Sequence, residues 1–265
     1  MIALKGASPV GRPRSSPGLD RDTFVRPIAH RGLHDSTAGR LENTVPAFQA
    51  AIDGGYGIEC DLQPAVDGTP MVFHDDTLDR LVAATGPVAA RSPAALAKLR
   101  YKGLEEKMLT FAQLLDLVGG CVPLLVEVKG RKSGTDAAFL ENIARQARAY
   151  AGPIALMSFE RTVVAALGER APKVPLGAIV GGQQALASLW AGREKMHDSA
   201  TVSRASGRRS VDFYAVDVKL VAVARKWMLR HAPDLPLFTW TVRTPRQRAA
   251  AARWADAPIF EGYKA

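Results

Sequence analysis

Residues 57–75, GIECDLQPAVDGTPMVFHD, place two carboxylates and a histidine within reach of one another. Glu59 and Asp61 stand two apart. On a strand, whose side chains alternate, both point to one face while Ile58, Cys60 and Leu62 take the other. Asp67-Gly68 is a turn signal, and the apolar run Met71, Val72, Phe73 then returns the chain as a hairpin and delivers His74 beside Asp75. Farther on, Glu127 and Lys129 share one face of the run 122–129, whose other face is Val122, Leu124, Val126 and Val128. Upstream, Pro27-Ile28-Ala29 runs into His30-Arg31-Gly32, where glycine lets the backbone turn sharply.

Three carboxylates brought together repel unless a cation lies between them. An all-oxygen set without a thiolate suits a hard divalent ion such as Mg2+ or Ca2+ better than zinc. Two imidazoles that titrate near neutral pH can serve as base and acid, and Arg31 and Lys129 can neutralise phosphoryl oxygens as charge builds on them. The combination points to a phosphate ester as substrate. Singly, each residue has a plain structural reading: Glu127 and Lys129 as an ion pair, His74 as a turn residue, Glu59 as a solvated charge.

The elements that position them argue for the chemistry. Each candidate falls at the C-terminal end of an expected strand, and apolar runs near 28, 57–62, 122–129, 154–158, 176–180, 211–216, 237–242 and 258–260 alternate with helix patterns. Such units in series predict an α/β fold, a closed (β/α)8 TIM barrel, whose active site belongs at the strands' C-terminal ends. The first helix follows Glu42-Asn43-Thr44, which offer capping side chains, with Val45, Phe48 and Ile52 on its inner face and Gly54-Gly55 at its end. Residues 77–108 interrupt the alternation for longer than an ordinary loop, include a short helix over 93–99, and are a candidate lid or specificity element. Later helices are expected over 136–150 (Phe139, Ile143 and Ala147 inward), 163–167, 219–231 and 245–254. A weaker one is expected over 183–190, ahead of a Ser/Arg-rich loop.

The 265 residues, 47% hydrophobic, suit one large domain over 27–265, with the insertion at about 77–108. The net charge of +9 resides largely in arginines of ends and loops, among them Arg204, Arg208, Arg209, Arg243 and Arg246. Basic and aromatic residues do not interleave, so a solvated basic surface is expected and no nucleic-acid partner. Residues 1–26 mix Gly, Pro, Ser and Arg without an apolar core; they read as a basic flexible arm and not as a signal peptide. Cys60 and Cys121 fall in expected strands without metal-ligand spacing, which predicts buried reduced thiols and a cytoplasmic protein.

The ordered set His30-Arg31-Gly32, Glu42-Asn43-Thr44 with Ala47-Phe48, Glu59-Cys60-Asp61, Asp67-Gly68 with His74-Asp75, then Leu78 and Arg80, resembles the glycerophosphodiester phosphodiesterase family. Glu127-Val128-Lys129, Ser158-Phe159 and Trp240-Thr241-Val242 match its downstream motifs, so the resemblance runs nearly the whole chain from Pro27. It implies a TIM barrel with a small insertion after the second strand. It implies further that Glu59, Asp61 and Glu127 hold one divalent metal ion, Mg2+ or Ca2+, with Mn2+ as a further candidate. His30 and His74 would be the acid/base pair, and Arg31 and Lys129 would hold the phosphate. Trp240 would line the glycerol pocket, a plain core tryptophan being the alternative, and Glu42 would support the site.

By that family's mechanism the substrate's own glycerol hydroxyl attacks phosphorus, and water opens the cyclic phosphate to sn-glycerol 3-phosphate. The small-molecule substrate would be a glycerophosphodiester. Alternatives are a lysophospholipase D-like enzyme on lipids, for which the basic arm would bring a membrane surface within reach, and an inactive phosphodiester-binding barrel. Three segments depart from the family pattern: Leu41 in place of proline, Pro64-Ala65-Val66, and the ending Phe260-Glu261-Gly262. None removes an implied ligand; they bear on leaving-group and glycerol specificity.

Overall fold

Short runs of Val, Ile, Leu and Ala form strands buried on both faces, and in a computed structural model describing residues 18–130, 134–181 and 211–265 they close into a barrel. The parallel strands are β1 (Ile28–Ala29), β2 (Gly57–Pro64), β4 (Leu124–Val128), β5 (Ile154–Ser158), β6 (Leu176–Val180), β7 (Phe213–Asp217), β8 (Leu237–Val242) and β9 (Ala257–Phe260). β3 (Pro70–Val72) returns antiparallel along β2, Leu62 opposite Val72. Closure is made by β1, in which Ile28 pairs with Gly57 on one side and Ile259 on the other. This is the expected (β/α)8 TIM barrel with an extra strand after the second.

Alternation divides the core into two layers. Ile58, Cys60, Leu62, Val126 and Leu156 point outward against the helices α2 (Val45–Asp53), α4 (Phe111–Val118), α5 (Ala137–Ala149) and α6 (Arg161–Arg170). Leu125, Met157, Phe213 and Phe238 fill the interior, with the rings of Phe213 and Phe238 edge to face at 5.5 Å. Glu59, Asp61 and Glu127 occupy the same inward rows, so an apolar floor supports a charged mouth.

Several expectations are corrected. The flexible arm over 1–26 lies outside the described residues up to 17. From Gly18 onward the chain is docked: α1 (Arg21–Phe24) is capped by Asp20, and Leu19 and Phe24 are buried in the interior layer. Burying Phe24 outweighs the polar composition around it. The face of α2 is Ala47, Phe48 and Ala51, with Val45 exposed and Ile52 half-buried. Its N-terminus has no side-chain cap, because Thr44 Oγ1 donates to Leu41 O and Asn43 turns toward Asp61.

Cys60 is buried as expected, but Cys121 is exposed in the turn ahead of β4. The short helix is α3 (Pro93–Leu96), within an insertion that packs Phe73, Leu78, Val82, Leu96 and Tyr101 into a small core of its own. Leu41 packs against that core. The basic surface is only partly solvated: Arg225 on α7 (Val221–His231) bonds Asp256 at 2.6 Å. The last helix is α8 (Pro245–Trp254), with a capping box from Thr244 and Gln247. The helix expected over 183–190 and the Ser/Arg loop after it lie outside the described residues. Among the described residues no helix is long and apolar enough to cross a membrane.

Candidate active site

The mouth is assembled from the ends of β1, β2, β4 and β8 and the hairpin beyond β2. After β1 the chain turns through Arg31 at φ 55° and Gly32 at φ 78°. A Cβ on Gly32 would lie 2.8 Å from the Ala47 carbonyl carbon, so only glycine lets this turn pass α2. The turn aims the Arg31 backbone N–H at Glu59 Oε2, 3.1 Å away. Its guanidinium donates to Glu42 Oε1 at 2.7 Å and stands 3.3 Å from Asp61 Oδ2. Asn43, also left-handed at φ 56°, donates Nδ2–H to Asp61 Oδ2 at 2.9 Å.

Glu59, Asp61 and Glu127 bring ligand oxygens within 4.8 Å of one another, all three buried. Lys129 Nζ lies 2.7 Å from Asp61 Oδ1 and donates to Glu127 Oε1 at 2.6 Å. Burial and the neighbouring carboxylates push Glu59 well above the usual carboxylate range. Burial also raises Glu127 to about 7, against the opposing pull of Lys129. Burial would raise Asp61 too, but Lys129, His74 and Arg31 outweigh it and hold its pKa far down. The cluster is thus short of positive charge even with Lys129 inside it. Its all-oxygen donors fit a hard divalent cation, which would relieve that deficit.

Both histidines are braced by a carboxylate. His30 Nδ1 meets Glu261 Oε2 at 2.6 Å, and His74 Nδ1 meets Asp75 Oδ1 at 2.6 Å. Desolvation lowers the pKa of each, opposed at His30 by the Glu261 bond and at His74 first by the charge of Asp61. Behind them runs a charged relay. Arg80 spans Asp75 (Nε to Oδ2, 2.6 Å) and Glu42 (Nη2 to Oε1, 2.7 Å), and Glu42 in turn holds Arg31. Gln63, buried on β2, donates to the His74 carbonyl at 3.1 Å. On the far side, Trp240 donates Nε1–H to Ala215 O at 3.1 Å and meets Phe159 edge to face at 5.5 Å.

His30, Arg31, Glu59, His74, Glu127, Lys129 and Trp240 all line one cavity of about 300 Å³. Asp61 lies beneath it, bonded to Lys129, Arg31 and Asn43. Every sequence-derived candidate is therefore brought to one place. Trp240 is half-buried: it packs against the interior layer and also lines the cavity. Glu261, Asn43, Gln63 and the bracing role of Arg80 were missed. Glu261 belonged to a segment read only as a departure, and the inward row Glu59, Asp61, Gln63 was the available signal for Gln63.

Known proteins are similar to this chain. The model of the glycerophosphoryl diester phosphodiesterase family matches residues 30–260. Glycerophosphodiester phosphodiesterase 1 of Bos taurus is 33% identical over 149 residues, 52% of this chain and 44% of that protein. The Homo sapiens protein of the same name is 33% identical over 117 residues, 40% of this chain and 34% of its own. The chain thus aligns with less than half the length of these curated relatives. A phosphodiesterase of Oleispira antarctica, solved in complex with the product sn-glycerol 3-phosphate, superposes with a TM-score of 0.72 at 20% identity, covering 90% of this chain and 93% of that one. Glycerophosphodiester phosphodiesterase of Thermotoga maritima superposes at 0.67 with 19% identity, covering 89% and 94%. At these identities the likeness is one of fold.

Proposed function

Because the chain belongs to the glycerophosphoryl diester phosphodiesterase family, we propose that it hydrolyses soluble glycerophosphodiesters to an alcohol and sn-glycerol 3-phosphate. The observation that carries this reading is the pair of histidines lining one cavity, each with Nδ1 held by a carboxylate at 2.6 Å. An imidazole that donates Nδ1–H to a carboxylate keeps Nε2 for proton transfer, in a fixed tautomer and orientation.

Arg31 and Lys129 bind the phosphate. One histidine takes the proton from the substrate's glycerol hydroxyl as its oxygen bonds to phosphorus. The other gives a proton to the alcohol as its P–O bond breaks. Water then opens the cyclic phosphate with the proton roles reversed. Glu59, Asp61 and Glu127 would hold one divalent ion, Mg2+ or Ca2+ with Mn2+ as the alternative, supplying positive charge where the phosphoryl oxygens gain negative charge. Trp240 and Phe159 wall the side on which the glycerol or leaving alcohol rests.

Residues 27–265 act as one catalytic unit, with 77–108 as an insertion whose Arg80 reaches the site. The unpaired Cys60 and Cys121 support the cytoplasm as compartment. One feature favours lysophospholipase D-like action as a second reading: Phe159, 44% exposed, gives the cavity an apolar edge that an acyl chain would cover. Chelator-stripped protein given back Mg2+, Ca2+ or Mn2+ should release glycerol 3-phosphate from glycerophosphocholine, and Glu127→Ala should not. Cleavage of lysophosphatidylcholine in preference would establish the second reading, and failure on every diester under every metal would remove both.

A further inference from the structure

We propose that His30, His34 and Glu261 form a second metal site, suited to zinc, whose occupation shuts the active site off. The inhibitory effect rests on the role of His30 proposed above; the site itself does not. His30 Nδ1 lies 2.6 Å and His34 Nε2 3.4 Å from the same oxygen, Glu261 Oε2, and the three donor atoms fall within 4.8 Å of one another. Zinc bonds of about 2.0–2.1 Å at tetrahedral angles place donors about 3.3 Å apart, so separations need change by no more than about 1.5 Å.

All three side chains are partly open to solvent, at 11%, 22% and 17%, which leaves a route in and a fourth position for water. Two imidazoles and one carboxylate select zinc over Mg2+ and Ca2+, which depend on anionic oxygens. Arg243, whose Nε is 2.5 Å from Glu261 Oε1, opposes a weakly held ion but leaves Oε2 free to ligate.

The consequence for His30 is a change of tautomer. In the metal-free site Nδ1–H is donated to Glu261 and Nε2 carries the lone pair. Zinc takes the Nδ1 lone pair; the Nδ1 proton leaves to solvent and Nε2 takes one up from solvent, so the ring stays neutral with its only proton on Nε2 and accepts no other. The carboxylate cluster would keep an ion bound there, while His30 is withdrawn from proton transfer.

The test uses the full chain saturated with Mg2+. Zinc titrated by calorimetry should bind the wild type, and His34→Gln should weaken binding by roughly a hundredfold, at least what loss of an outer-shell partner costs a metal site. Co2+ in zinc's place should give the wild type the intense visible absorption of a tetrahedral ion and His34→Gln none. Glycerophosphodiester turnover should be inhibited by zinc in the wild type and resistant in His34→Gln, whose uninhibited turnover is unchanged; His34→Asn serves if the first variant folds poorly. Zinc binding unaltered by either substitution, or displaced by excess Mg2+ equally in wild type and variant, would overturn the proposal. Loss of turnover on every diester with binding still dependent on His34 would leave the site standing and remove only the proposed activity.

Discussion

Glu261 and His30 are 231 residues apart in the chain and meet at 2.6 Å, carboxylate to Nδ1. The contact exists because β9 pairs with β1 to close the barrel, which sets the residue after Phe260 beside the residue after Ala29. Glu261 fixes which nitrogen of His30 faces the cavity. Glu261→Gln is expected to lower kcat by roughly a hundredfold, the scale of one proton transfer, with KM little changed. Steady-state kinetics on glycerophosphocholine decides: a KM rise at constant kcat would mean that Glu261 shapes binding instead.

Arg80 holds Asp75 and Glu42 at once, and through them His74 and Arg31. A planar fork with several donors can do this, whereas a lysine offers a single point charge. Arg80→Ala should reduce kcat/KM by about tenfold to a hundredfold through misplacement of both groups, and Arg80→Lys should restore little of it. Full recovery in the lysine variant would show that charge alone matters there.

The barrel was legible because buried parallel strands are short apolar runs, and β5, β6 and β8 lie where those runs lie. The inward row on β2 was legible because two carboxylates alternate with Ile58, Cys60 and Leu62. What escaped were contacts that no local pattern encodes. Glu261 reaches His30 only through closure, and Arg80 lies in a loop whose path is set by the small core around Tyr101. Asn43 and Thr44 looked like caps, since caps and site supports draw on the same short polar residues, and here the left-handed turn at Asn43 sends its amide to Asp61.

Metal should stabilise the fold. Adding Mg2+ or Ca2+ to chelator-stripped protein is expected to raise Tm, by the equivalent of about 2.7 kcal/mol at a hundred times Kd. Glu127→Gln should abolish most of the gain. Stripped Glu59→Gln should melt no lower than the stripped wild type, because it removes the cost of burying an ionisable carboxyl beside Asp61 and Glu127 while its amide oxygen can still accept from the Arg31 N–H. Calorimetric melts of the three proteins, with and without metal, check both signs.

Asp256 ties α1, α7 and β8 together by accepting from Arg21 at 2.7 Å, Arg225 at 2.6 Å and the Leu237 N–H at 2.7 Å. Burial would raise its pKa, but the bonds from Arg225, Leu237 and Arg21 outweigh burial and hold it below the usual value. A carboxylate whose pKa is lower folded than unfolded stabilises fully above about pH 4 and loses that contribution as pH falls through the folded value. Asp256→Asn should therefore cost about 1–3 kcal/mol at pH 7 and progressively less below pH 4. Denaturant melts across that range would refute this if the difference held constant.

Gly181, at the end of β6, lies against the ring of Trp240: a Cβ there would come 2.5 Å from Cζ2 and 2.7 Å from Cη2. Both atoms belong to a ring pinned by its bond to Ala215 O and by Phe159, so the indole cannot yield without leaving the cavity wall. Gly181→Ala thus moves Trp240 without altering any group that handles protons, phosphate or metal. If the indole packs against substrate, KM should rise by about tenfold while kcat falls little, because binding shared by ground state and transition state is what is lost. Tryptophan fluorescence should shift in the same variant. A fluorescence shift with unchanged KM would remove Trp240 from substrate binding, and a fall in kcat alone would make it part of the alignment of His30 and His74.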